Sequence, residues 1–283
     1  MCLGLATGPR KDYQLNYETL KELLFRMNVF DLMSLKGKTA VVTGGSIGLG
    51  AQMCTALAEA GANVVVAARK VERCAALCEE LEKLGVKAVP AACDVGKAED
   101  RQNLIDLTVK EFGKVDILVN NAGITWAADS LHYPMDKWDK VFNINITGLF
   151  DLSAIAARVM KDNGGGKIIN VASIAAFVGS EPEMQDTIAY QASKGAVVVL
   201  TKDLAIKWAR YGIYVNAIAP GYFPTHMSSG LLEMTKDRVL PRIPLRRFGG
   251  DHDMKGLVLL LASPASDFIT GQTFIIDGGM TCG

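Results

Sequence analysis

The sequence has no Cys-x-x-Cys pair, only three histidines (His132, His226, His252), no apolar run reaching the ~20 residues that span a bilayer, and no excess of charge of either sign. Six cysteines (Cys2, Cys54, Cys74, Cys78, Cys93, Cys282) are scattered without histidines at ligand spacing. That pattern excludes a metal site of the usual kinds and points to reduced thiols in a cytoplasmic protein. Thirty basic residues cancel thirty acidic ones, so no surface suited to a polyanion is expected and nucleic acid is not a partner. The start of the chain lacks a signal peptide's apolar centre, because Lys11, Asp12, Lys21 and Glu22 interrupt it. Neither repeats nor low-complexity tracts divide the 283 residues into smaller units.

Short runs of Val, Ile and Ala alternate with helical stretches from Lys38 onward, the pattern of a parallel sheet covered on both faces. The strands are expected at Thr39 to Thr43, Asn63 to Ala68, Lys87 to Ala92, Val115 to Asn120, Lys167 to Ala172, Tyr214 to Ala219 and Thr273 to Ile276. Gly61, Gly85, Gly113 and Gly212 are placed to end the helices between them. Residues 37–283 read as one domain and residues 1–36 as a helical extension. Within the extension, Leu20, Leu23, Leu24, Met27 and Phe30 recur at helical spacing between Asn16 and Met33. This amphipathic stretch has mixed charge, so packing against protein is expected rather than a membrane-surface role. The helix from Tyr190 to Arg210 is apolar nearly all round and is expected to pack on the sheet with one side and on a second copy with the other, giving a dimer or tetramer.

Thr43-Gly44-Gly45-Ser46-Ile47-Gly48-Leu49-Gly50 follows a strand and opens a helix, the setting in which a glycine cluster means dinucleotide binding. Gly44 is assigned the turn, and Gly48 and Gly50 the close approach of a pyrophosphate to the helix N-terminus. Some 20 residues on, where an NAD site would place a carboxylate on the ribose, the chain has Ala67-Ala68-Arg69-Lys70. Arg69 offers a guanidinium fork to a 2′-phosphate, so NADP is expected, with NAD possible. Tyr190 and Lys194 share a helix face at i, i+4, and the ammonium is expected to lower the phenol pKa. Such a phenol can exchange a proton with a substrate oxygen.

These residues in this order make the sequence resemble the classical short-chain dehydrogenase/reductase family over essentially all of Lys36 to Gly279. The resemblance rests on Thr43 to Gly50, Cys93-Asp94-Val95, Asn120-Asn121-Ala122-Gly123, Asn145, Ser173, Tyr190 to Lys194, and Pro220-Gly221 with Thr225. Its flavour is that of 3-oxoacyl-carrier-protein reductases and gluconate 5-dehydrogenase-like enzymes. The resemblance implies an α/β Rossmann-type, doubly wound, seven-stranded parallel sheet and a nicotinamide cofactor. It also implies a tetramer built partly on the helix that begins at Tyr190. By the same resemblance Tyr190 is the general acid/base, Lys194 tunes it and holds the nicotinamide ribose, Ser173 orients the substrate oxygen, and Asn145 completes a proton relay. Gly44, Ser46, Ile47, Gly48 and Gly50 would cradle the phosphates, with Arg69, Asp94 and Val95 at the adenosine end. Asn121, Ala122 and Gly123 would form the floor, and Pro220, Gly221, Phe223 and Thr225 would cover the nicotinamide.

Ser173 and Tyr190 are seventeen positions apart, further than the family usually places them, so Val178 to Ile188 reads as an insertion beside the substrate pocket. Trp126, Met184, Tyr222, Phe223 and Met227 are pocket candidates, with Glu181, Glu183 and Asp186 on the inserted loop. The expected activity is hydride transfer between nicotinamide and a carbonyl or secondary alcohol of a small ketone or polyol. A reductase of carrier-bound or thioester 3-oxoacyl groups is the alternative, and a non-catalytic dinucleotide-binding scaffold is the alternative of another class.

Overall fold

The computed structural model describes residues 28–224 and 236–282. The strands are β1 (Thr39–Thr43), β2 (Asn63–Ala68), β3 (Ala88–Ala92), β4 (Ile117–Asn120), β5 (Gly166–Val171), β6 (Ile213–Pro220) and β7 (Thr273–Ile276). They form one parallel sheet in the order β3-β2-β1-β4-β5-β6-β7, the doubly wound arrangement that the sequence pattern implies. Helices α1 (Gly48–Glu59), α2 (Val71–Glu82), α3 (Ala98–Phe112), α4 (Met135–Phe142), α5 (Leu149–Asp162), α6 (Ile188–Trp208) and α7 (Lys255–Ala262) cover both faces.

The strands are nearly continuous apolar runs because each successive side chain enters a different core. Val42, Val64, Val66 and Val119 pack on one face against Met53, Leu57 and Leu261. Val41, Val65, Leu118 and Ile168 pack on the other against Leu104, Leu152 and Met160. At roughly 1.5–3 kcal/mol for each fully buried aliphatic side chain, these two layers dominate the stability of the sheet. Pro90 sits within β3, where the missing N–H is tolerated because β3 is an edge strand. Gly113 and Gly212 take left-handed φ values of 77° and 70° and close their helices as expected.

A buried polar chain ties the middle of the sheet to α5 and α6. Asn120 Nδ2 donates to Ser153 Oγ at 2.8 Å and to Asn170 Oδ1 at 2.9 Å, and Asn170 Nδ2 donates to Thr201 Oγ1 at 3.0 Å. Each side-chain amide nitrogen on this chain finds an acceptor, so the network fixes the relative positions of these elements. The face of α6 that carries Ser193, Lys194, Val197 and Leu204 is buried, whereas Val199 is 67% and Ile206 81% exposed. Within the single chain, therefore, α6 is covered on one side only.

Of the N-terminal extension, the described part contains a one-turn helix, Val29–Leu32, capped by the side chain of Asn28. Leu35 is buried and its N–H donates to Ala60 O at 2.9 Å, which joins this segment to the end of α1. Most of the amphipathic stretch expected over Asn16 to Met33 lies outside the described residues.

Candidate active site

Strand order reverses between β1 and β4, so the loops leaving their carboxyl ends diverge and open a crevice. The loop after β1 turns at Gly44, where φ is +62°. A Cβ there would lie 2.8 Å from Asn121 Nδ2, and one at Gly50 would lie 2.1 Å from the Gly44 carbonyl oxygen. Gly50 is thus required by packing of α1 on its own loop, a different reason from the phosphate approach expected from sequence. Gly48, the first residue of α1, has φ +57°. Asn121 braces the loop from beneath: its Nδ2 donates to Thr43 O at 3.0 Å and to Gly44 O at 3.1 Å. The N-terminus of α1 has no side-chain cap, so its first amides remain available to an anion.

At the end of β2, Arg69 and Lys70 line the same cleft, and Arg73 joins them from the first turn of α2. None of the three is ion-paired among the described residues. Their cationic edge is broader than the single Arg69 inferred from sequence; Arg73 needed knowledge of where α2 begins. Across from them, Asp94 accepts from Gly96 N at 3.0 Å through Oδ1, and its own N–H donates to Asp100 at 2.8 Å.

Asn145 lies inside a π-helical segment, Asn143–Gly148, inserted between α4 and α5. Such a widened turn re-aims a side chain within a continuous helix and is frequent at functional sites. Asn145 is 1% exposed; its Oδ1 accepts from Ile124 N at 2.9 Å, and its Nδ2 donates to Ile124 O at 3.0 Å and to Ser193 Oγ at 2.9 Å. Ser193 Oγ in turn donates to Tyr190 O at 2.7 Å. Ser193 is not singled out from sequence, although its place three residues after Tyr190 puts the two on the same side of α6. A Cβ at Gly123 would lie 3.3 Å from Asn145 Oδ1 and 3.6 Å from Lys194 Nζ, so a larger residue there would crowd the Asn145 oxygen.

Lys194 Nζ donates to Val171 O at 2.6 Å and stands 5.5 Å from the centre of the Tyr190 ring. Burial pulls the ammonium down to a pKa of about 8. Burial also pushes the Tyr190 phenol up, opposed by a hydrogen bond with Ser173. This corrects the expectation of a phenol depressed by its lysine. The ammonium is engaged with a backbone carbonyl, and loss of phenolate solvation is the largest influence on the phenol.

These elements enclose a cleft of about 810 Å³. Gly44, Ser46, Ile47, Gly48, Gly50, Arg69, Asp94, Val95, Asn121, Ala122, Gly123, Ser173, Tyr190, Lys194, Pro220, Gly221 and Phe223 all line it. Asn145 stands behind its wall, and Thr225 lies outside the described residues. Tyr222 lines a separate cavity of about 170 Å³ with Arg247 and Phe248, and Phe223 borders both. The inserted loop folds into a one-turn helix, Pro182–Gln185. It is held by Asp186 O, which accepts from Ala128 N at 3.0 Å, and by Glu181, whose two oxygens accept from Arg242 at 3.0 and 3.1 Å. Trp126 is half exposed under the Lys137 ammonium, 5.0 Å from its ring centre. Met227 lies outside the described residues.

The family model described as short chain dehydrogenase matches residues 38–236. A 2-dehydro-3-deoxy-D-gluconate 5-dehydrogenase of Dickeya dadantii is 40% identical over 255 residues, 89% of this chain and 98% of that protein. A 3-oxoacyl-acyl-carrier-protein reductase of Staphylococcus epidermidis is 38% identical over 244 residues, 86% of this chain and 98% of that protein. The crystal structure of a gluconate 5-dehydrogenase from Burkholderia cenocepacia in complex with NADP and tartrate superposes with a TM-score of 0.85 at 37% identity, covering 90% of this chain and 100% of that one.

Proposed function

Because the chain belongs to the short chain dehydrogenase family, we propose that this oxidoreductase uses NADP to interconvert a carbonyl and a secondary alcohol on a small ketone or polyol. The observation that carries the reading is the convergence of Ser173, Tyr190 and Lys194 with the uncapped N-terminus of α1 and the Arg69 edge on one cleft. The donors fit a dinucleotide. Free amides and the Gly44 turn suit a pyrophosphate, and Arg69, Lys70 and Arg73, without an ion pair among the described residues, suit a 2′-phosphate. NADP-bound and gluconate-directed relatives support the same cofactor and substrate class.

When bound, the nicotinamide supplies or accepts the hydride. Tyr190 moves the proton at the substrate oxygen. With its pKa raised by burial, it is protonated at neutral pH, the form that donates to the alkoxide developing on a carbonyl. Ser173, which lines the cleft together with the phenol, holds the substrate oxygen against it. Lys194, fixed by Val171 O, keeps a cation near neutrality beside the reacting pair and returns a proton towards Tyr190. Asn145 and Ser193 fix the start of α6 so that these distances are held.

Val199 and Ile206 on the open side of α6 support assembly into a dimer or tetramer. No described helix is long and apolar enough to cross a membrane, and the described cysteines are free thiols, which fits a cytoplasmic protein. Oxidation of NADPH and of NADH over a panel of sugar, acyclic and cyclic ketones and a 3-oxoacyl thioester tests the assignment. Turnover of a sugar ketone with NADPH is expected. Turnover confined to the thioester would replace this reading with the acyl-chain one.

A further inference from the structure

One buried cation stands between the adenosine-side loop of the cleft and the segment carrying Asn145. Arg101 in α3 is 5% exposed; its Nε donates to Asp151 Oδ2 at 2.6 Å and its Nη1 to Val95 O at 2.7 Å. Val95 lines the cleft, and Asp151 lies in the first turn of α5, directly after the π-helical segment Asn143–Gly148. Two further contacts join the same two pieces of chain. Asn143 Nδ2 donates to Gly96 O at 3.1 Å, and a Cβ at Gly148 would lie 2.2 Å from Val95 O, so these backbones touch where only glycine fits. Both ends of the π-helical segment are therefore fastened to the 94–96 loop, with Asn145 between them.

A guanidinium in this position is costly to bury, and neighbouring positions on the same face of α3, Leu104, Ile105 and Thr108, are filled without charge. Arg101 gives what an apolar side chain cannot: two directed, charge-assisted bonds reaching a loop and a helix at once. We propose that Arg101 is a positioning residue that couples the 94–96 loop to the π-helical segment, so that ordering the loop also orders the Asn145 amide. This rests on the reading that the cleft holds a dinucleotide. Through Asn145, the coupling continues to Ser193 and the start of α6. Occupation of the adenosine end then tightens the end of the cleft where the proton moves.

Amide hydrogen exchange of the cofactor-free protein tests the brace without relying on the cofactor. Arg101→Met is expected to raise exchange in 94–96 and in 143–148 together. Asn143→Ala, at an exposed side chain whose loss does not threaten folding, is expected to do so less strongly, and Arg101→Lys to recover part of the protection. If 143–148 keeps wild-type protection in the Asn143 and Arg101 variants, the coupling is overturned. In parallel, Arg101→Met is expected to weaken NADPH binding about tenfold and to lower kcat as well, the size of one lost charge-assisted bond. An unchanged NADPH affinity in that variant would also overturn the proposal. Failure of the wild type to bind NADPH would instead count against the dinucleotide reading, and the exchange comparison would still decide the brace.

Discussion

Tyr190 and Lys194 illustrate how far neighbouring residue types determine chemistry and where distance takes over. Their i, i+4 spacing puts them on one face of α6, as helical geometry requires, and both line the cleft. The sign of the phenol's shift could not be read from spacing, because it depends on where the ammonium goes and on burial. Lys194 carries its own measurable consequence. Its ordinary pKa of 10.5 falls to about 8 in the folded chain, so between these values the unfolded chain binds the proton that the folded chain has released. Stability from this group therefore rises with pH across that window, by at most ~3 kcal/mol. Cys78 and Cys93, pushed up to about 12 by burial, act oppositely above the ordinary thiol pKa, but they do so in wild type and variant alike. In denaturant titrations, the stability of wild type relative to Lys194→Met is expected to increase from pH 7.5 to pH 10. A flat difference would contradict a buried, readily deprotonated lysine. Arg69 gives a second residue-scale test. Arg69→Ala is expected to weaken NADPH about tenfold while leaving NADH nearly unchanged, and equal loss of both would remove the 2′-phosphate assignment.

At the scale of elements, α6 is both a wall of the cleft and an unfinished surface. Its buried face holds Ser193 and Lys194, while Val199 and Ile206 project on the other side. The all-round apolar composition of the helix is what the expectation of a second copy rests on, and the structure adds which residues are left uncovered within the single chain. Val199→Asp or Ile206→Asp is expected to lower the molar mass measured by light scattering while the circular dichroism of the subunit is retained. Unchanged mass in both variants would exclude this face from assembly. The π-helical segment is equally hidden: Asn145 is recognisable as a residue, but the widened turn that carries it touches Val95 and Gly96, which come from a distant part of the chain. The inserted loop was legible as extra length between Ser173 and Tyr190. Its ties to Ala128 and Arg242 were not, because they pair residues from separate loops.

For the whole molecule, the sheet was the most legible feature. A strand buried on both faces must be an unbroken apolar run, so β1, β2 and β7 have the ends read from sequence and the others differ by one or two residues. β4 begins at Ile117 rather than Val115, and just before it Asp116 spends its carboxylate on Thr39 N at 2.8 Å and its backbone N–H on Thr39 O at 3.0 Å. Strand order then places the crevice, since at the reversal between β1 and β4 the loops of adjacent strands leave in opposite directions. Residues scattered from Gly44 to Phe223 thereby come to one cleft, and the chemistry assigned to it rests on a single phenol. Measuring kcat and NADPH affinity for Tyr190→Phe on the best substrate of the ketone panel tests that assignment most directly. The account predicts a fall in kcat of roughly 10²- to 10⁴-fold with NADPH affinity within about twofold of wild type; turnover that survives the loss of the hydroxyl would contradict it.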